Sequence, residues 1–260
     1  GGTIAKWLLY RIILPLADHV FVQSEQMKAD VTAEGIDPGK MTAVPMAVGE
    51  SLLEQPRRAP VPGTILYLGT LIRVRRLDTL LEALRIVHRR HPGARLVFVG
   101  EGDSPEDRAF LERRAAELDL GAFVEFTGML PMAAAHERVA SAAVCVSPFY
   151  PIPILLSTSP TKISEYMALG RPVVANAHPE QSRIIAESGA GLCVDWSAEA
   201  FAAAIVQLLD DPAAAERMGA LGREYVRSHR IYPVVAPRVV AEYRRLLGSP
   251  AGGARVSGRP

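Results

Sequence analysis

Ser159-Pro-Thr-Lys-Ile-Ser-Glu-Tyr-Met-Ala-Leu-Gly-Arg-Pro-Val-Val-Ala175 reads as a helix running into a buried strand. Ser159 suits the N-cap and Pro160 the first helical position, which leaves the first-turn N–H groups free to attract an anion. Thr161 and Lys162 fall in that turn, Glu165 one turn on, and Gly170 can close the helix in the left-handed conformation. An end that seeks oxyanions, followed by a carboxylate able to accept two hydroxyls, is what a ribose diphosphate requires. Lys162 and Glu165 are also spaced as a plain surface ion pair worth about 0.2–0.5 kcal/mol, so the rest of the chain has to decide.

Outward from this segment the pattern is regular. Strands are expected at 64–68, 95–99, 123–127, 142–147, 172–175 and 191–194, with helices at 77–87, 105–118, 132–140, 180–188, 198–209, 212–229 and 234–247. Short apolar strands alternating with helices predict an α/β, Rossmann-like parallel sheet covered on both faces. Upstream, a strand from His19, a helix at 25–33 and a second strand at 41–48 make one β-α-β unit. One such unit cannot bury both faces of its sheet, so it reads as the remnant of a larger domain. The expected division is a remnant at 1–50, a Pro-rich linker at 51–62, the sheet domain at 63–230, a last helix at 231–248 and a disordered tail at 249–260.

In an open parallel sheet, ligands sit beyond the carboxyl ends of the strands. The first strand end carries Gly69, Thr70, Arg73, Arg75 and Arg76, a glycine for close backbone approach and three guanidinium forks suited to phosphate oxygens. The next ends carry Glu101 and Gly102, then Met129, then Ser147-Pro-Phe149, then Asn176 and His178. For each of these a bland role is the alternative: a solvated loop for the arginines and Glu101, a bystander for His178, core packing for Met129. There is no G-x-G-x-x-G and no Walker loop, which weighs against hydride and kinase chemistry.

Composition narrows the class further. The 260 residues are 49% hydrophobic with formal net charge +1, which argues against a nucleic-acid partner bound through overall charge. Cys145 and Cys193 both lie in apolar runs and read as inert buried thiols in a reducing compartment. Ile4, Trp7, Leu8, Ile12 and Leu16 form an amphipathic stripe too short to span a bilayer, expected to pack on a missing domain rather than lie on a membrane. A chain that opens on Gly1 reads as a fragment or a processed product.

The order of motifs resembles the retaining glycosyltransferases of family 4, with the GT-B fold. The residues that carry it are A-D-H-V-F-V-Q-S (17–24), I-L-Y-L-G-T (65–70), V-F-V-G-E-G (97–102), V-E-F-T-G-M-L (124–130) and E-Y-M-A-L-G-R-P-V-V-A (165–175). The resemblance implies two Rossmann-like domains facing a cleft, with a nucleotide-diphosphate sugar on the C-terminal one and the acceptor, a glycan or lipid-linked sugar, on the other. It also implies that the last helix crosses back to the N-terminal domain. Glu165 looks like the ribose ligand, Met129 the residue whose backbone faces the base, and Arg75 stands where the family usually has a diphosphate-binding lysine. Thr70 stands in place of a common arginine, so Arg73 or Arg76 is expected to supply that charge. Ser157 replaces the first glutamate of the family's Glu-x7-Glu motif, and Lys162 belongs to an S-P-T-K variant. The resulting site has Arg75 and Lys162 as the catalytic cations, with the Ser159 helix end. Gly69, Thr70, Arg73, Glu101 and Gly102 join Met129, Ser159, Thr161 and Glu165 in holding the donor, with no metal or other cofactor. A sugar-nucleotide epimerase and a non-catalytic nucleotide-sugar-binding module are the competing readings. The expected location is the cytoplasm, with peripheral contact at the inner membrane face left open.

Overall fold

The computed structural model describes residues 2–248, so the tail at 249–260 lies outside the described residues. Helix α1 (Gly2–Leu8) leads through a π-helical turn (Leu9–Ile13) into a last turn, α2 (Leu14–Leu16). Tyr10 and Leu14 pack on the small N-terminal core, whereas all five residues of the predicted stripe are exposed. Strand β1 (Val20–Val22), α3 (Glu25–Ala33) and β2 (Met41–Ala43) form the expected parallel β-α-β unit around Val22, Val31, Ile36 and Met41. The Ser24 hydroxyl caps α3 by accepting the Met27 N–H at 3.0 Å, a contact worth about 1 kcal/mol. The second strand stops short of its expected end. Pro45 has no N–H to add to a ladder, and pairing ends where the Val44 N–H donates to Val22. Val48 instead pairs with Ile231.

The head of the predicted linker is ordered. One turn, α4 (Ser51–Glu54), buries Leu52 and Leu53, and Arg223 donates to the carbonyls of Leu53 and Gln55.

Six strands follow: β3 (Thr64–Leu68), β4 (Arg95–Val99), β5 (Val124–Phe126), β6 (Val144–Ser147), β7 (Val173–Asn176) and β8 (Gly191–Val194). They form one parallel sheet in the order β5-β4-β3-β6-β7-β8. The helices are α5 (Asp78–Val87), α6 (Pro105–Glu117), α7 (Met132–Ala140), α8 (Pro153–Leu156), α9 (Thr161–Ala168), α10 (Pro179–Ser188), α11 (Ala198–Asp210), α12 (Pro212–His229) and α13 (Tyr232–Leu246). Side chains alternate across the strands and so feed two cores. Ile65, Tyr67, Leu96, Phe98 and Val144 pack with α5, α6 and α11, while Leu66, Val97, Val99, Cys145 and Val173 pack with α7, α9 and α12. Burying each such side chain contributes about 1.5–3 kcal/mol.

Two details fix α9 against this sheet. Gly170 (φ +73°) closes the helix, and a Cβ at Gly219 would lie 2.1 Å from the Gly170 carbonyl oxygen, so α12 approaches backbone to backbone. Cys145 is buried in the central sheet, and burial pushes its thiol up. Cys193 is exposed, contrary to its apolar sequence setting, because β8 is the outer strand. The last helix turns back onto the β-α-β unit, with Tyr243 5.8 Å from Phe21 and Glu242 accepting from Thr42 at 3.4 Å. No described helix is long and apolar enough to cross a membrane.

Candidate functional site

Strand order reverses between β3 and β6, and a crevice at such a reversal is where parallel sheets hold ligands. A cavity of about 460 Å3 opens there, lined among others by Gly69, Thr70, Arg75, Glu101, Met129, Thr161, Lys162 and Glu165. Its floor is backbone. Gly69 (φ +143°) and Gly100 (φ +138°) adopt conformations reserved for glycine, and a Cβ on Gly100 would lie 2.2 Å from the Gly69 carbonyl oxygen. The loops after β3 and β4 touch, and only a residue without a side chain fits between them.

Two cations share one wall. Lys162 is buried, its Nζ 4.6 Å from the Tyr67 ring centroid, 4.9 Å from that of Phe149 and 3.4 Å from the Tyr67 hydroxyl. The Arg75 guanidinium carbon lies 5.7 Å from the same Phe149 ring, and its Nε and Nη1 are buried without a hydrogen-bond partner. Among the described residues, neither cation forms an ion pair with a carboxylate. Burial, and then the neighbouring Arg75 charge, hold the Lys162 amine well below the ordinary lysine range; Glu165 pulls weakly the other way. Burial likewise pushes the Tyr67 hydroxyl up to about 12. Basic groups against aromatic faces and without an ion-paired carboxylate are arranged for an incoming anion.

The helix end differs in detail from its sequence reading. Ser159 is not the N-cap: its hydroxyl accepts the Met46 N–H at 3.1 Å. Pro160 holds the cap position with no side-chain cap, so the first turn of α9 keeps N–H groups that no side chain satisfies. Ser159 still lines the cavity, through a tethered loop rather than as a cap.

Two other expectations fail. Arg73 turns away and stacks on Phe110 at 3.9 Å, while Arg76, in the left-handed region at φ +50°, pairs with Asp78 at 3.2 Å. A 3-10 turn over Arg73–Arg75 separates these side chains, and only Arg75 of the three lines the cavity. Neither replaces the charge missing at Thr70. Gly102 does not line it either; a Cβ there would lie 2.4 Å from that of Asp107, so its role is to let the loop lie against the start of α6.

Glu165 and Arg75 do face the same space. Glu101 lines it as well, 3.6 Å from Arg108. Met129 reaches it with an exposed side chain rather than serving the core. Ser157 lies outside: its hydroxyl donates to Asp30 at 2.5 Å and its carbonyl accepts from Ser24 at 2.7 Å. Supporting residues were less visible in the sequence. Tyr166 accepts the Leu68 N–H at 2.8 Å, tying α9 to the end of β3. Asn176 holds both backbone groups of Phe149, at 2.7 and 2.8 Å. His178 accepts at Nδ1 from Glu180 and Gln181 and donates from Nε2 to Leu155, so it caps α10. Burial holds its imidazole below the ordinary range.

Residues 62–211 match the model of a family described as glycosyl transferases group 1. Phosphatidyl-myo-inositol mannosyltransferase of Mycobacterium tuberculosis is 29% identical over 198 residues, 72% of this chain and 48% of that protein. The GDP-mannose-dependent alpha-(1-6)-phosphatidylinositol monomannoside mannosyltransferase of the same organism is 29% identical over 208 residues, 79% of this chain and 53% of that one. The chain thus spans about half the length of these curated relatives. Among solved structures, sucrose-phosphate synthase from Thermosynechococcus elongatus superposes with TM-score 0.79 at 28% identity, over 95% of this chain and 63% of that one. Anabaena Alr3699/HepE in complex with UDP and glucose gives TM-score 0.77 at 14% identity, over 94% and 68%, a likeness of fold.

Proposed function

The chain belongs to the group 1 glycosyl transferases, and on that basis we propose that its cavity binds a nucleoside-diphosphate sugar for transfer with retention at the anomeric carbon. The observation that carries this reading is the wall of Arg75 and Lys162, two cations over one aromatic ring with no carboxylate partner among the described residues. A diphosphate between them and the first turn of α9 would satisfy the buried guanidinium nitrogens and the uncapped N–H groups together.

In transfer, the bond from the sugar C1 to the β-phosphate oxygen breaks, and negative charge grows on the departing diphosphate as the sugar becomes oxocarbenium-like. Arg75, Lys162 and the helix end are already oriented toward that charge, and the surrounding apolar walls strengthen the attraction. In this reading no metal takes part. Glu165 would accept the ribose hydroxyls, and the backbone beside Met129 would face the base. The acceptor, a glycan or lipid-linked sugar, would enter from the N-terminal side. Membership of the S-P-T-K variant of family 4 fits Lys162, and the absence of a glutamate at Ser157 leaves recognition of the sugar to other groups. The epimerase and the binding-only module are not favoured, because the matched relatives are transferases by name.

Titration of the chain with uridine, guanosine and adenosine diphosphates tests the donor site. One of them should bind, and Arg75→Ala should weaken it by about 1.5–3 kcal/mol, the size of a charge-assisted contact. Unchanged affinity in that variant would remove the central support. For a protein that transfers sugar, NMR of the product anomer would decide between retention and inversion.

A further inference from the structure

Glu165 lies beside a histidine that the sequence did not single out. His136, on α7, places Nε2 3.9 Å from the Glu165 Oε1, with side chains only 12% and 19% exposed respectively. That nitrogen is buried and has no hydrogen-bond partner. Glu165 lines the cavity and His136 does not, so the imidazole stands behind the carboxylate as seen from the ligand space. Among the described residues, no side chain donates a hydrogen bond to the Glu165 carboxylate, and His136 is the one basic group within 4.0 Å of it.

We propose that His136 is a positioning residue: by donating from Nε2 to one carboxylate oxygen of Glu165, it fixes the group so that the other oxygen receives the ribose hydroxyls. The inference rests on the donor-site reading above. A carboxylate on a side chain with three torsions can rotate out of register, and two hydroxyls reward only one orientation. The present 3.9 Å separation exceeds hydrogen-bond range; closing it by about 1 Å through side-chain torsions makes the bond. A buried nitrogen with no other acceptor favours that movement. Nothing in this role requires His136 to touch the ligand, which separates it from Glu165 itself.

The test measures affinity of the full chain for the preferred nucleoside diphosphate and for its 2′,3′-dideoxy counterpart. His136→Phe keeps a ring and removes the donor; it should weaken the ribonucleotide about tenfold, the scale of one charge-assisted hydrogen bond, and leave the dideoxy compound unchanged. His136→Gln, which retains an N–H, should recover part of the loss. In a Glu165→Gln background, His136→Phe should cost nothing further. Retained dideoxy binding shows that the variant is folded. Equal loss on both ligands, no loss on either, or a loss that persists without the Glu165 carboxylate each overturns the proposal. If the parent protein binds both ligands equally, it is the ribose role of Glu165 that fails, and the positioning role fails with it. If no nucleoside diphosphate binds, the donor reading itself is refuted.

Discussion

Replacing Lys162 by methionine should make the unliganded protein more stable and shrink the further stability that a bound diphosphate adds. The Lys162 amine sits in a buried site beside Arg75, with aromatic faces at 4.6 and 4.9 Å, and its pKa is held well below the ordinary lysine range, first by burial and then by the Arg75 charge. Over the pH window between that depressed value and 10.5 the unfolded chain binds a proton that the folded chain does not. Stability in the window therefore rises with pH, and near neutrality the lysine costs stability. Methionine has similar length and no charge. Exchanging a buried amine that has no ion-pair partner for an apolar side chain of like volume gains about 2 kcal/mol, or about 4–8 °C in melting midpoint for a chain of this size. The ligand effect runs the other way. At a diphosphate concentration of about 100 Kd the parent gains about 2.7 kcal/mol. Losing one charge-assisted contact of about 2 kcal/mol weakens binding about thirtyfold, and the same concentration then gives only about 0.9 kcal/mol. Calorimetric melts of both proteins, with and without the nucleoside diphosphate, read both numbers. A methionine variant that melts lower on its own and keeps the full ligand shift would refute the reasoning.

Other outcomes follow from the same geometry. Diphosphate binding should draw a proton onto Lys162, so affinity falls as pH rises above its depressed pKa; binding heats in two buffers of different ionisation enthalpy should differ, and identical heats would contradict this. Arg73→Ala should leave nucleotide affinity intact and cost about 0.5–1 kcal/mol in urea unfolding through the lost Phe110 stack, whereas Arg75→Ala loses affinity; a reversed pattern would put the wrong arginine in the site. Gly219→Ala forces a methyl onto the Gly170 carbonyl and should cost about 1–3 kcal/mol by overpacking, measured by thermal melting, with a result near zero counting against the close α9–α12 contact.

Periodicity and punctuation carried most of the architecture. Thr64–Leu68, Arg95–Val99 and Met132–Ala140 lie where the apolar pattern puts them, because each is a short apolar or amphipathic run with clear stops. Local signals failed where tertiary contacts decide. Ser159 has the right chemistry for an N-cap, but the Met46 N–H reaches its hydroxyl first. Three arginines in one loop look equivalent in sequence, and only the 3-10 turn and the left-handed Arg76 select Arg75. Glu165 was legible because its neighbours form a motif, while His136 sits on a helix whose partner no local pattern names. Leu52 and Leu53 stand just ahead of Pro56, Pro60 and Pro62, whose linker signal masks the buried turn they form.

The backbone passes between the N-terminal unit and the large sheet near Val48 and again near Arg230, and the two passages are stitched together by the Val48 N–H to Arg230 carbonyl bond at 2.8 Å and the Tyr232 N–H to Val48 carbonyl bond at 3.2 Å. Two bodies joined along a single seam can swing about it far more easily than they can slide or separate. Contacts away from the seam oppose such a swing, among them those of Ser24 and Asp30 with Ser157 and of Met46 with Ser159. These three hold the segment whose Leu155, Thr158 and Ser159 line the cavity, so any rocking of the smaller body is passed to that wall.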